Sequence, residues 1–227
     1  NLKHINGGII ADLGISSMQI EDPKRGFSFM KNGPLDMRMD KKGSTAKDLI
    51  YSLNEKELSD ILWKYGEERK SRAIAKAIVS ARKTNNIETT FQLVELIKKV
   101  KKDSKKVKIH PATKTFQALR ICVNQEIIKL KALLELSEKL LFPGARLVIV
   151  SFHSLEDRII KVFFNELSGN KSNLNRHTPI IDEKNKNIIK FKKINKKPLF
   201  PTKSEVNKNK RARSAKIRII ERLSIGK

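Results

Sequence analysis

Acidic residues are scarce in this chain. Its 24 Asp and Glu stand against 49 Lys and Arg, a formal net charge of +25 over 227 residues. That is far beyond what solubility needs, so a polyanion is the leading partner, whether RNA, DNA or an anionic membrane. The competing account is a lysine-rich composition inherited from an AT-rich genome, because Lys, Asn and Ile are all abundant. Cysteine is nearly absent too. Cys122 stands alone, which excludes a disulfide framework and a multi-cysteine zinc site, fits a reducing compartment and leaves no metal expected. No apolar run approaches the roughly 20 residues needed to span a bilayer. A signal peptide is also missing, but the chain opens at Asn1 rather than at methionine and is read as a fragment.

What is present describes a folding chain. Hydrophobic content is 39%, with apolar runs at 8–15 and 145–152 that a disordered chain would lack. Residues 8–13 read as a short buried strand with Asp12 near its carboxyl end, where ligands sit in open α/β sheets. A Gly-, Pro- and Asp-rich loop over 18–43 is too long for a plain connection and is expected to carry function. From Ser44 the period becomes helical, with Ser44 or Thr45 and then Asn54 as N-caps. Helices are expected over 46–53, 55–65, 67–83, 89–102 and 111–141. Strand character returns at 146–152, Ser154 caps a helix to Leu167, and further strands are expected near 188–194 and over 215–223, with Lys- and Asn-rich loops across 168–213. The expected architecture is one α/β domain interrupted by a helical one: core over 1–43 and 142–227, helical insertion over 44–141.

Five blocks carry a resemblance. GGIIADLGISSMQIEDPKRGFSFMKNGPLDMRMD (7–40), WKYGEERKSRAIAKAIV (63–79), HPATKTFQALRICVNQE (110–126), PGARLVIVSFHSLEDRIIKVFF (143–164) and ARSAKIRIIER (212–222) together closely resemble the bacterial and organellar family of small-subunit ribosomal RNA cytidine N4-methyltransferases. The resemblance implies a class I methyltransferase fold, a Rossmann-like sheet with an inserted all-helical domain for substrate recognition, and S-adenosylmethionine as cofactor. It implies methylation of N4 of a cytidine in the decoding region, Asp12 and Gln19 as cofactor-binding residues, small-subunit ribosomal RNA or the 30S-type subunit as partner, no membrane, room for a homodimer, and a cytoplasmic location. The family's Gly-Gly-His donor loop, an acidic residue after the next strand and an aromatic donor contact lie upstream of these blocks. Asn1–Gly7 cannot contain them, so the chain is expected to be truncated and inactive by itself. Ala145 stands where the family usually has a second glycine after Pro-Gly, a turn that must then manage without a positive φ there.

Several residues invite a chemical role, each beside a plainer one. Ser16 and Ser17 could approach the target amine or simply shape a turn. His153, after the second long strand, could accept the released proton or be an ordered loop imidazole. Glu156 and Asp157 favour the plain reading, acids in a first helical turn. Asp36 and Arg38 could hold substrate phosphate, the carboxylate orienting the guanidinium. Phe27 and Phe29 could stack on a displaced base, though anchoring the loop is the favoured reading. Lys98, Lys99, Lys101, Lys102, Lys105, Lys106 and Lys108 suggest a phosphate-tracking patch, and the Lys-rich tail over 184–213 a weaker one. Cys122 reads as a buried apolar residue. The rival functions are a non-catalytic basic RNA-binding or ribosome-associated protein and a DNA amino-methyltransferase.

Overall fold

The computed structural model describes residues 4–101, 109–169 and 189–224. Lys102, Lys105, Lys106, Lys108 and the tail segment 170–188 lie outside the described residues. In chain order the elements are β1 (Gly8–Asp12), α1 (Ser17–Glu21), α2 (Ala46–Ser52), α3 (Glu55–Gly66), α4 (Ser71–Ala81) and α5 (Thr90–Lys101). They continue with α6 (Thr113–Val123), α7 (Glu126–Leu140), β2 (Arg146–Ser151), α8 (Ser154–Leu167), β3 (Phe191–Lys193), α9 (Lys203–Lys208) and β4 (Lys216–Arg222). The chain divides into two compact units, Asn1–Gly14 with Ile127–Lys227, and Ile15–Glu126.

The first unit is α/β. Its four-stranded sheet runs β1-β2-β4-β3. β1 lies parallel to β2 with Asp12 opposite Val150, and β4 is antiparallel to both β2 and β3. β1, β2 and β4 are rich in β-branched residues, which suit a pleated, half-buried surface. α7 and α8 present Leu130, Leu134, Ile160 and Phe164 to a core shared with Leu147, Ile149, Phe191 and Ile220. The i,i+4 spacing of each helical pair puts both of its side chains on one face. Gly144, at φ 84°, takes the left-handed turn into β2. The buried Ala145 needs no positive φ, because its amide already closes the turn onto the Phe142 carbonyl at 2.9 Å. One glycine is enough for this corner.

The second unit is helical, with Ile50, Leu58, Leu62, Ile74, Ile78, Leu93, Ile97 and Leu119 fully buried. Its extent differs from the expected insertion over 44–141 at both ends. Phe27, Leu35 and Met37 from the long loop are buried in the same core as the helices, so the compact unit begins at Ile15. α7 buries its apolar face in the sheet unit's core instead.

The helix expected over 111–141 is two helices. Gln125 adopts a left-handed φ of 51°, and the buried Asn124 side chain explains the break. Its Nδ2 donates to the Met37 carbonyl at 2.7 Å and the Arg120 carbonyl at 2.8 Å, and its Oδ1 accepts the Met39 amide at 2.7 Å. Arg120 then grips Glu126 with two hydrogen bonds of 2.9 and 3.0 Å, fixing the joint. Leaving buried backbone groups without partners costs about 1–3 kcal/mol each. Asn124→Ala is therefore expected to lower stability by about 2–4 kcal/mol, read from urea denaturation; a loss near zero would mean that water replaces the amide.

Candidate active site

On the sheet unit, the carboxyl ends of the parallel pair β1 and β2 carry the candidates. Asp12 ends β1 and is exposed. Its neighbour Leu13 remains tied to the sheet through an amide bond to the Val150 carbonyl at 3.0 Å. Among the described residues the Asp12 carboxylate makes no hydrogen bond or ion pair, and it stands at a strand tip held by the sheet. β2 ends at Ser151, and Phe152 and His153 follow it at the same sheet edge.

His153, not Ser154, is the N-cap of α8. Its Nδ1 accepts the Glu156 amide at 3.4 Å, while the Glu156 carboxylate accepts the Phe152 amide at 3.0 Å and the His153 amide at 3.4 Å. This reciprocal arrangement satisfies amides that a helix start otherwise leaves open. With Nδ1 accepting, the ring proton belongs on Nε2, which lies 3.1 Å from Glu156 Oε1 but outside hydrogen-bond geometry. The imidazole is occupied in holding a helix. Asp157 also has a structural partner set: Arg218 at 2.7 Å and Lys216 at 3.2 Å, both on β4. Burial would raise the Asp157 pKa, but the bonds from Arg218 and Lys216 outweigh it, and its carboxyl sits below the ordinary value.

In the helical unit the candidates cluster at the start of the loop. Ser16 caps α1, its Oγ accepting the Gln19 amide at 3.2 Å while Gln19 Oε1 accepts the Ser16 amide at 3.0 Å. Gln19 Nε2 reaches the Met39 carbonyl at 3.5 Å. Ser16 is therefore committed as an acceptor, whereas the Ser17 hydroxyl is exposed. Ser16, Met18, Gln19, Asp22 and Arg25 line an open recess of about 420 Å³.

Arg25 was not singled out in the sequence, though a pair of cations, Lys24 and Arg25, between the turn residues Pro23 and Gly26 was a signal. Its Nη2 donates to the Arg38 and Met39 carbonyls at 2.6 and 2.8 Å, and its Nε is buried without a hydrogen-bond partner. Arg38 is held flat against Asp36 by two hydrogen bonds of 2.8 and 2.9 Å and also donates to the Gly43 carbonyl. The carboxylate orients the guanidinium, and Arg38 in turn holds the Asp36 carboxyl below its ordinary value.

The phenylalanines anchor the loop. Phe27 is buried, and Phe29 stacks on His110 at 4.6 Å and meets Phe116 edge-on. Phe27 is closed to a base, and Phe29 is half-buried against the helical core. Two of the three described lysines of the expected patch are engaged within the protein, Lys98 with Glu95 and Lys101 with Glu68. Burial pushes the half-buried Cys122 thiol up, away from nucleophilic use.

The model of the MraW methylase family matches residues 1–223. A protein of Methylobacterium nodulans named ribosomal RNA small subunit methyltransferase H is 47% identical over 95% of this chain and 63% of its own length. The protein of that name from Methylorubrum extorquens is 48% identical over 94% of this chain and 60% of its own, and that from Paramagnetospirillum magneticum 48% over 95% and 67%. The chain thus spans about 60–63% of the length of the first two.

Two outcomes follow from the site's electrostatics. Asp36 and Asp157 bind protons less readily in the fold than in the unfolded chain, so their contribution is complete above the ordinary carboxylate pKa of about 4 and is lost as pH falls through their lowered values. Urea midpoints should fall from about pH 6 to about pH 2, and Asp157→Asn should remove part of that slope; an unchanged slope would refute the coupling. His153→Ala should cost about 1 kcal/mol as a lost cap, while His153→Asn should keep stability within about 0.5 kcal/mol.

Proposed function

This chain belongs to the MraW methylase family, and from that premise we propose that it is the greater part of an enzyme methylating N4 of a cytidine in the decoding region of small-subunit ribosomal RNA, with S-adenosylmethionine as donor. The observation carrying the proposal is Asp12, an exposed carboxylate, without a partner among the described residues, at the tip of a parallel strand pair. The names of the relatives, which specify a ribosomal RNA small subunit methyltransferase, support the substrate class.

Each unit, taken by itself, offers a residue that would suit such a donor. Asp12 offers acceptor oxygens suited to hydroxyl and amine groups of such a donor. Gln19 lines its recess with one amide hydrogen still uncommitted. The donor would supply an electrophilic methyl on a sulfonium. Ile10 on β1 is 79% exposed, and among the described residues β1 has a strand on one side only. Parallel strands are normally covered on both faces. We assign the missing cover, and the remaining donor wall, to the part of the longer relatives that this chain does not span.

A cytosine amino group is a weak nucleophile because its lone pair is delocalised into the ring. The protein's task is to align it and to stabilise positive charge growing on nitrogen, for which fixed acceptor oxygens serve. Alignment contributes several of the roughly 7–11 kcal/mol available to well-oriented reactions. The Ser17 hydroxyl, free of the cap that occupies Ser16, is the better acceptor on the loop. Arg38, prealigned by Asp36, would hold a backbone phosphate. His153 serves by fixing α8 behind the sheet edge, and the proton leaves to solvent. A ribosomal RNA substrate supports a cytoplasmic location. Among the described residues no helix is long and apolar enough to cross a membrane.

The test is methyl transfer from labelled donor to purified small subunits lacking the modification. The full-length protein should be active, this chain alone inert, and full-length Asp12→Ala reduced at least about a hundredfold, the scale of losing one positioned electrostatic group. His153→Asn should keep the wild-type pH–rate profile. An active 1–227 chain would show that the donor site is complete within it. RNA binding without donor affinity in the full-length protein would favour the non-catalytic reading, and transfer to duplex DNA alone would favour a DNA amino-methyltransferase.

A further inference from the structure

The helical unit holds a second recess that the reaction does not use. It has a volume of about 570 Å³ and lies between α3, the start of α4 and the end of α5, within the range typical of small-molecule sites. Trp63 forms one side and is 60% exposed. Tryptophan is highly buried on average, and the other outward positions of α3 are polar or charged: Glu55, Lys56, Glu57, Asp60 and Lys64. Its indole packs with no aromatic partner or cation among the described residues.

The charged groups around the recess are Arg69, Lys70, Arg72 and Asp60. Three cations against one acid leave a net charge of +2. Lys70 is tied to the Val100 carbonyl at 3.2 Å. Arg69 and Arg72 are exposed and make no hydrogen bond or ion pair among the described residues. That contrasts with Arg25, Arg38, Arg120, Arg218 and Arg222, each of which is committed within the protein. The first turn of α4 adds no acid to oppose an anion.

We propose that this recess takes one unpaired nucleotide of a single-stranded RNA segment, its base stacked on Trp63 and its phosphate held by Arg69 and Arg72. An exposed ring beside uncommitted guanidiniums is the arrangement that binds single strands without reading sequence. Each base has an aromatic face, and each nucleotide one phosphate. The proposal rests on RNA being the substrate, but concerns a contact remote in sequence from Asp12 and Gln19, and so a grip on the strand rather than the reaction.

Trp63 is the chain's one tryptophan, so its own fluorescence reports on the stack. Titration of the chain with a mixed-sequence single-stranded RNA of about 12 nucleotides should quench that emission in step with binding measured by fluorescence anisotropy of the labelled RNA. Trp63→Ala should weaken binding about tenfold, and Trp63→Phe should recover most of it. Arg69→Gln with Arg72→Gln should reduce the slope of log affinity against log salt by about 0.7, one phosphate contact. All three sites are exposed, so unchanged thermal unfolding of the variants shows that the fold is intact. RNA binding with unaltered tryptophan emission, equal affinity of Trp63→Ala, or preference for duplex over single strand would each overturn the proposal. Methyl transfer by the full-length protein, measured alongside, separates the two readings: transfer without quenching refutes the recess alone, and absence of transfer refutes the enzyme.

Discussion

The long loop of the helical unit depends on one buried amide. Asn124 satisfies the Met37 carbonyl and the Met39 amide together, and so fixes the backbone to which other site groups attach. Gln19 and Arg25 both donate to the Met39 carbonyl, and Arg38, one residue earlier, is set against Asp36. Backbone groups in a loop are ordinarily satisfied by water, which fixes nothing. Here a side chain from a helix end takes water's place, and a segment with almost no regular structure becomes as determinate as a helix. The cost is the helix itself, which has to stop at Asn124 for its side chain to turn toward the loop.

Much of the fold is legible in the sequence because periodicity reports burial directly. The apolar spacing of α3, α5 and α8 and the β-branched runs of β1, β2 and β4 require only that one face meets a core. The break at Asn124 was not legible, because the apolar period continues through Val123 and Ile127 while the reason for stopping lies about 85 residues upstream in the chain. The cap of α8 was misassigned for a local reason: serine is the commoner cap, yet the backbone turns one residue earlier and the His153 ring reaches the amide. Two short helices could have been found. Ser16 with Gln19, and Thr202 with Glu205, each show the hydroxyl-x-x-acid-or-amide spacing of a capping box, but neither precedes an apolar stripe, which is the signal a periodicity search follows.

The candidate site was legible in position more than in role. Asp12 ends a strand and Gln19 lines a recess. Other candidates take structural work: Ser16 and His153 are caps, Phe27 and Phe29 are the loop anchors that the sequence favoured, and Arg25 emerges as the tie of the loop. Composition could not separate these cases, because a polar side chain looks the same in sequence whether it faces a substrate or an unpaired amide. The positive charge divides the same way. Part of it is spent on internal pairs such as Lys101 with Glu68 and Arg218 with Asp157, and what remains for a polyanion is the cations without such partners.

The helical unit is a single stretch of chain, Ile15–Glu126, whereas the sheet unit is assembled from both sides of it. During synthesis the helical unit can close as soon as its own residues have emerged, through contacts mostly local in sequence. β1 must wait for β2, about 138 residues later by their paired register, and β2 waits for β4 beyond it. At a ribosome adding about 5–20 residues per second, the bonds between β1 and β2 cannot form until several seconds after β1 is made, so the seam that ends in Asp12 closes only after the helical unit is complete.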